Sequence, residues 1–160
     1  MKKVLTHNVG RPDFVGEVVL KTRPKIEALA ISGSGDPMLT FDDKLDDILR
    51  LLKNHTSLHF GIFYKNRDVV GIDNVEWDAC VMTSEKINGM SSIRRIELPE
   101  IDIASITLTG PYSLIGDAIE FMKVVLSENN VEVDLPLYEM YLKEGKNPVT
   151  ELQYPISPQK

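Results

Sequence analysis

The fold is decided by a segment that occurs twice, PKIEALAIS at residues 24–32 and PEIDIASIT at residues 99–107. The two copies align without a gap at a spacing of 75 residues, and Ser34-Gly35 falls on Thr109-Gly110 at the same spacing. An internal duplication of this length indicates two copies of one supersecondary unit, which usually pack about a pseudo-two-fold axis. We therefore expect two halves with a ligand groove between them.

The length and composition favour one compact globular protein made of these two halves. The chain has 160 residues, of which 42% are hydrophobic and 26% charged, as in ordinary soluble domains. The sequence predicts an N-terminal arm at residues 1–16 and a duplicated domain at residues 17–157. Within that domain, half one covers residues 17–82 and half two covers residues 93–157.

Hydrophobic periodicity gives both halves the same order of strand, strand, helix, strand, strand. In half one a hairpin at Arg23-Pro24 joins the first two strands, and Thr40 is expected to cap the helix. The predicted strands are 17–22, 26–32, 59–65 and 77–81 in half one, and 93–98, 101–109, 137–142 and 150–156 in half two, where the helix covers 112–128. These patterns predict an α+β fold with mainly antiparallel sheet.

Charge and cysteine content exclude several classes of function. The formal net charge is −6, and the only dense basic pair, Arg94-Arg95, is expected to solvate a strand edge, so direct nucleic-acid binding is not predicted. Cys80 is the only cysteine, and its apolar neighbours favour a buried thiol over a nucleophile. Neither a signal peptide nor a membrane span is recognisable, which predicts a cytoplasmic protein.

Motifs for metals and cofactors are incomplete. His55 and His59 have i, i+4 spacing, but no cysteine or carboxylate completes a zinc set. Residues 33–36, GSGD, lack the ending of a phosphate-binding loop and the later glycine of a dinucleotide-binding turn. We predict no metal and no cofactor.

Several short segments resemble the GyrI-like (gyrase-inhibitor-like) effector-binding domains, which also occur at the carboxyl ends of many AraC-type and MerR-type transcription factors. The resemblance is carried by TLTGPY at residues 107–112, by LIGDA at 114–118 and by YEMYL at 138–142. In the first half, GIFY at 61–64 and WDAC at 77–80 match the pattern as well. The resemblance extends from about residue 17 to residue 156.

This resemblance implies a fold whose two halves flank a pocket for hydrophobic, often cationic, small molecules. It also implies one buried glutamate that meets the charge of the ligand, and Glu139 stands at that position of the motif. No helix-turn-helix segment is recognisable, so the expected protein is a sensor module without a DNA-reading arm. Gly35-Asp36 departs from the family pattern, because Gly110-Pro111 stands at the corresponding place in half two.

Strand alternation places Glu139 between Leu137 and Tyr141 on one face of its strand. One interpretation is an edge-strand glutamate in water. The other is a carboxylate in an apolar pocket, where burial is costly and a ligand cation relieves the cost. Each facing aromatic ring would add about 0.5 to 2 kcal/mol of cation-π attraction.

Four aromatic side chains are candidates to face that cation. Core packing is the alternative interpretation for Tyr64 and Trp77, and a hydrophobic staple is the alternative for Tyr112. The candidate rings are Tyr141, Tyr112, Trp77 and Tyr64, and Phe60, aligned with Leu137, is a weaker candidate for the pocket wall.

The function expected from these residues is binding of an amphipathic small molecule, for sequestration or sensing. Two rivals remain. Some members of the family resemble hydrolases that open electrophilic cyclopropane rings, in which Glu139 would activate water. The third possibility is a protein partner, with inhibition of DNA gyrase as the family name suggests.

Overall fold

The computed structural model describes residues 1–53, 57–87 and 92–158. In these ranges the strands are β1 Lys2–Val4, β2 Val19–Arg23, β3 Ile26–Ser34, β4 His59–Phe63, β5 Glu76–Met82, β6 Ile93–Leu98, β7 Ile101–Thr109, β8 Leu137–Lys143 and β9 Val149–Pro155. The helices are α1 Pro37–Leu49, α2 Arg67–Val70 and α3 Ile115–Glu128, and 3-10 turns cover Ile72–Asn74 and Tyr112–Leu114. Within the described ranges, no helix is both long and apolar enough to cross a bilayer.

The chain forms two compact units. Unit 1 contains Met1–Pro24 and Glu100–Lys160, and unit 2 contains Lys25–Pro99. In unit 1 the antiparallel strands run in the order β1-β2-β7-β9-β8. In unit 2 the order is β6-β3-β5-β4, which matches β2-β7-β9-β8 strand for strand. The α+β class, the antiparallel pairing and the duplication are confirmed.

The predicted hairpin at Arg23-Pro24 is wrong. Strand β2 pairs with β1 and β7, while β3 pairs with β5 and β6. The connection between β2 and β3 is Pro24-Lys25, and that between β6 and β7 is Pro99-Glu100. A two-residue hairpin needs a positive φ at its first turn residue, whereas proline is held near −65°. Each predicted half therefore exchanges its first strand with the other.

The N-terminal arm is an integral part of unit 1. Its first residues form the edge strand β1, and the Leu5 amide donates to the Val18 carbonyl at 2.9 Å. Val15 is buried and forms an isolated bridge to Leu108, while the Gly16 amide donates to the Thr107 carbonyl at 2.8 Å. Burial and hydrogen bonding of this backbone indicate a strap that is fixed to the unit.

Helix α1 begins three residues before the predicted cap. Asp36 is the N-cap, and its side chain accepts a hydrogen bond from the Met38 amide at 3.0 Å. Pro37 occupies the first helical position, where its missing N–H costs nothing. Thr40 thus lies inside the helix, and Phe41, Leu45 and Ile48 form the buried stripe.

The strand registers define which residues of the two units are equivalent. In unit 2, Gly61 pairs with Ala79, which pairs with Ile31. In unit 1, Glu139 pairs with Leu152, which pairs with Ile106. Because Ile31 and Ile106 are equivalent in the repeat, Glu139 stands where unit 2 has Gly61.

The next row of paired residues differs even more between the units. It reads Phe63, Trp77, Gly33 in unit 2 and Tyr141, Thr150, Leu108 in unit 1. At the repeat spacing of 75 residues Trp77 would correspond to Leu152, but the registers equate Trp77 with Thr150. By the same registers Phe60 corresponds to Tyr138, not to Leu137.

Unit 2 depends on a close approach between Gly33 and Trp77. A Cβ atom at residue 33 would lie 2.3 Å from the indole Cη2 atom of Trp77. Gly33→Ala should therefore lower the free energy of unfolding by about 1–3 kcal/mol through overpacking. Urea unfolding followed by circular dichroism measures the change.

The matched control is Gly116→Ala in α3, where an added Cβ would meet nothing within 4 Å. Alanine is the better helix former, so this variant should be neutral or slightly stabilised. Equal stability losses in the two variants would contradict the packing assigned to Trp77.

Candidate ligand-binding site

Glu139 lies in the middle of β8 with 9% of its surface exposed. The Tyr141 hydroxyl donates a hydrogen bond to Oε1 of Glu139 at 2.9 Å. Both side chains project from the face of the sheet that also carries Leu152 and Thr150, because paired residues point to the same side. The predicted carboxylate and one predicted ring are thus in direct contact.

Tyr112 adds a second ring to this cluster. Its ring is edge-on to Tyr141, with centroids 5.7 Å apart and an interplanar angle of 73°. Tyr112 opens the 3-10 turn before α3, which follows Gly110 at φ 134°, a conformation that favours glycine. With 40% of its surface exposed, Tyr112 lies at the solvent boundary of the cluster.

The equivalent face of unit 2 is filled by aromatic rings. Trp77 is 1% exposed, its Nε1 donates to the Gly35 carbonyl at 3.0 Å, and its ring centroid lies 5.2 Å from that of Phe41. A Cβ atom at Gly61 would lie 2.6 Å from Phe63 and 3.1 Å from Phe41. Trp77 therefore fills the core under α1, and the face that holds a carboxylate and a phenol in unit 1 is packed with hydrocarbon in unit 2.

Tyr64 belongs to a different cluster on the other face of unit 2. Its hydroxyl donates to Oδ2 of Asp78 at 2.6 Å, and Arg94 forms an ion pair with the same oxygen at 2.5 Å. Asp78 follows Trp77 directly in β5, so their side chains point to opposite faces. Burial, followed by the hydrogen bond to Asp78, raises the pKa of the Tyr64 phenol. The structure does not bring Tyr64 and Trp77 together.

The Asp78 cluster also corrects the interpretation of Arg94. Its guanidinium neutralises a carboxylate that is 2% exposed, and the Ser32 hydroxyl donates to Oδ1 of Asp78 at 2.8 Å. In unit 1, the equivalent residue of Asp78 is Glu151, which pairs with Lys21 of β2. Both buried carboxylates thus bind a cation from the equivalent strands β6 and β2, which indicates a structural role.

Phe60 is fully buried and pairs with Cys80, on the same face of unit 2 as Asp78. It therefore lies on the face opposite to Trp77. Of the two histidines with i, i+4 spacing, His55 falls outside the described residues. Among the residues described, no cluster of three or more histidine, cysteine, aspartate or glutamate side chains has the geometry of a metal site.

Sequence reasoning missed Thr150, which lies in register with Tyr141 on the face of Glu139. The signal that could have found it is the repeat itself, since Thr150 replaces Trp77. Ungapped alignment concealed this correspondence, because the segment from Leu108 to Thr150 is two residues shorter than the equivalent segment from Gly33 to Trp77.

With this geometry established, comparison with known proteins identifies the family. The GyrI-like small molecule binding domain family matches the sequence over residues 16–157. The chain therefore belongs to this family. It is therefore a small-molecule binding domain. No curated protein matches the sequence.

Solved structures show the same fold at low sequence identity. EcmrR in its complex with DNA has a TM-score of 0.74 and 14% identity over 91% of this chain, which spans 59% of the EcmrR chain. A hydrolase from Listeria innocua has a TM-score of 0.64 and 12% identity, with 86% and 91% of the two chains covered. SAV2435 bound to tetraphenylphosphonium has a TM-score of 0.60 and 11% identity, with 86% and 92% covered.

The surroundings of Cys80 predict an inert thiol. Burial, and next the negative charge of Asp78, raises the pKa of Cys80 well above its ordinary value. At pH 8 the native protein should react with a thiol-specific disulfide reagent on the order of a hundredfold or more slowly than the unfolded protein, because reaction requires opening of the core.

The same protein unfolded in urea is the control, since Cys80 is its only thiol. A native reaction as fast as that of the unfolded chain would contradict the burial of this side chain.

Proposed function

We propose that the protein binds amphipathic cations at the face of unit 1 that carries Glu139, and that it sequesters or senses them. The single observation that carries this proposal is the contrast between equivalent rows of the two units. Where unit 2 packs Gly61 against aromatic rings, unit 1 places a buried carboxylate in contact with Tyr141.

The chemistry of this row favours a cation over a neutral or anionic ligand. A buried carboxylate is stabilised by a positive charge more than by a neutral group, because the local dielectric is low. The Tyr141 and Tyr112 rings lie beside it and can each add cation-π attraction of about 0.5 to 2 kcal/mol. The apolar residues Leu152 and Ile106 on the same face supply hydrophobic contact area.

The comparisons support the same class of ligand. The family binds small molecules, and SAV2435, which shares the fold, was solved with tetraphenylphosphonium, a lipophilic cation. Tetraphenylphosphonium is therefore a suitable first probe for this chain.

Removing the charge of Glu139 tests the proposal. Glu139→Gln keeps the shape of the side chain, and it should weaken binding of tetraphenylphosphonium by about 1.5–3 kcal/mol, or roughly 10- to 150-fold. Tetraphenylmethane derivatives have the same shape without the charge, and the variant should change their affinity by less than about twofold. Isothermal titration calorimetry measures both affinities.

The matched control is Glu120→Gln, which removes the same charge from an exposed position of α3. Screening by salt should leave cation binding unchanged in this variant. Equal losses at residues 120 and 139 would mean that net charge, and not the Glu139 site, attracts the cation.

Hydrolysis is the second candidate, because a hydrolase from Listeria innocua shares the fold. If Glu139 acts as a general base, Glu139→Gln should preserve substrate affinity and reduce turnover of an electrophilic cyclopropane by about 10²–10⁴-fold. If the native protein hydrolyses the cyclopropane and Glu139→Gln does not, the protein is a hydrolase and the binding proposal is wrong.

A further inference from the structure

Thr150 carries a buried hydroxyl group that is unsatisfied within the described part of the chain. Its side chain is 0% exposed, and Oγ1 has no hydrogen-bond partner among the residues that the structure describes. Nearly all buried hydroxyl groups in proteins are hydrogen-bonded, because leaving one unpaired destabilises the folded state. Such a group is retained at a cost when it serves a ligand.

The position of Thr150 connects this hydroxyl to Glu139. Thr150 pairs directly with Tyr141, and it lies on the diagonal from Glu139 across β8 and β9. Paired and diagonal side chains on one sheet face begin about 5 Å and 7–8 Å apart. One small molecule can therefore contact the Glu139 carboxylate and the Thr150 hydroxyl together.

The repeat shows that this residue type is specific to unit 1. Trp77 is the equivalent of Thr150. Its only side-chain donor, Nε1, is satisfied within unit 2 by a hydrogen bond to the Gly35 carbonyl. Thr150 is much smaller than tryptophan and leaves its polar atom on the face of Glu139 and Tyr141. The difference replaces a space-filling ring by a small side chain that can both donate and accept a hydrogen bond.

We propose that Thr150 determines specificity by hydrogen-bonding to the ligand. This inference rests on the proposed function and narrows it to cations that carry a hydroxyl, amide or ether group at a distance from the positive charge. The carboxylate selects the charge, the tyrosine rings contact the apolar body, and Thr150 selects the polar substituent.

Two matched cations test this assignment. Tetraphenylphosphonium has no hydrogen-bonding group, whereas (4-hydroxyphenyl)triphenylphosphonium adds one phenol. The native protein should bind the hydroxylated cation about three- to tenfold more tightly, as expected for one neutral hydrogen bond. Thr150→Val should abolish that preference and change the affinity for tetraphenylphosphonium by less than about twofold.

Thr150→Ser is the conservative control, because it keeps the hydroxyl and should keep the preference. Thr150→Ala removes the hydroxyl with less bulk and should lose the preference as valine does. Without ligand, Thr150→Val should raise the Tm by roughly 2–4 °C, since it removes an unpaired buried hydroxyl. A threonine bonded within the protein would give a lower Tm instead.

The outcomes separate this inference from the proposed function. If both cations bind and Glu139→Gln weakens them, but the native protein shows no preference or Thr150→Val keeps it, Thr150 has no part in recognition. If neither cation binds to the native protein, the proposed function fails and the role of Thr150 fails with it. A lower Tm for unliganded Thr150→Val overturns the role of Thr150 alone.

Discussion

The fixed φ of two prolines is the constraint on which the arrangement of strands depends. Pro24 and Pro99 follow the first strand of each repeat, and neither can form the tight turn that would fold this strand back on the next. Strand β2 therefore pairs with β7, and β6 pairs with β3. Each unit obtains the strand beside β7 or β3, and with it the cation for a buried carboxylate, from a distant part of the sequence.

Duplication supplied two copies of the same sheet, and the copies differ most on one face. Unit 2 fills this face with Trp77 and the phenylalanine rings beside it, which pack under α1. Unit 1 has Glu139, Tyr141 and Thr150 at equivalent places. In the proposed function, unit 2 uses this face for core packing, and unit 1 uses it to bind the ligand.

Much of this could be predicted from the sequence, because strand periodicity and the repeat are local patterns. The alternation of β8 correctly placed Glu139 and Tyr141 on one face, and Tyr112 was expected near them. The pairing of β2 was missed, since it depends on a contact between residues about 80 positions apart. Tyr64 was grouped with Trp77 although its partner Asp78 points to the face opposite to Trp77. Thr150 was missed because ungapped alignment concealed its equivalence to Trp77.

The position of a bound cation tests the central claim most directly. A crystal structure with tetraphenylarsonium locates the arsenic atom by its anomalous scattering, without reliance on the shape of the electron density. The account predicts one strong peak beside the Glu139 carboxylate, on the face shared with Tyr141 and Thr150. A peak beside the Asp78 cluster of unit 2, or no peak at a concentration that saturates binding in solution, would contradict it.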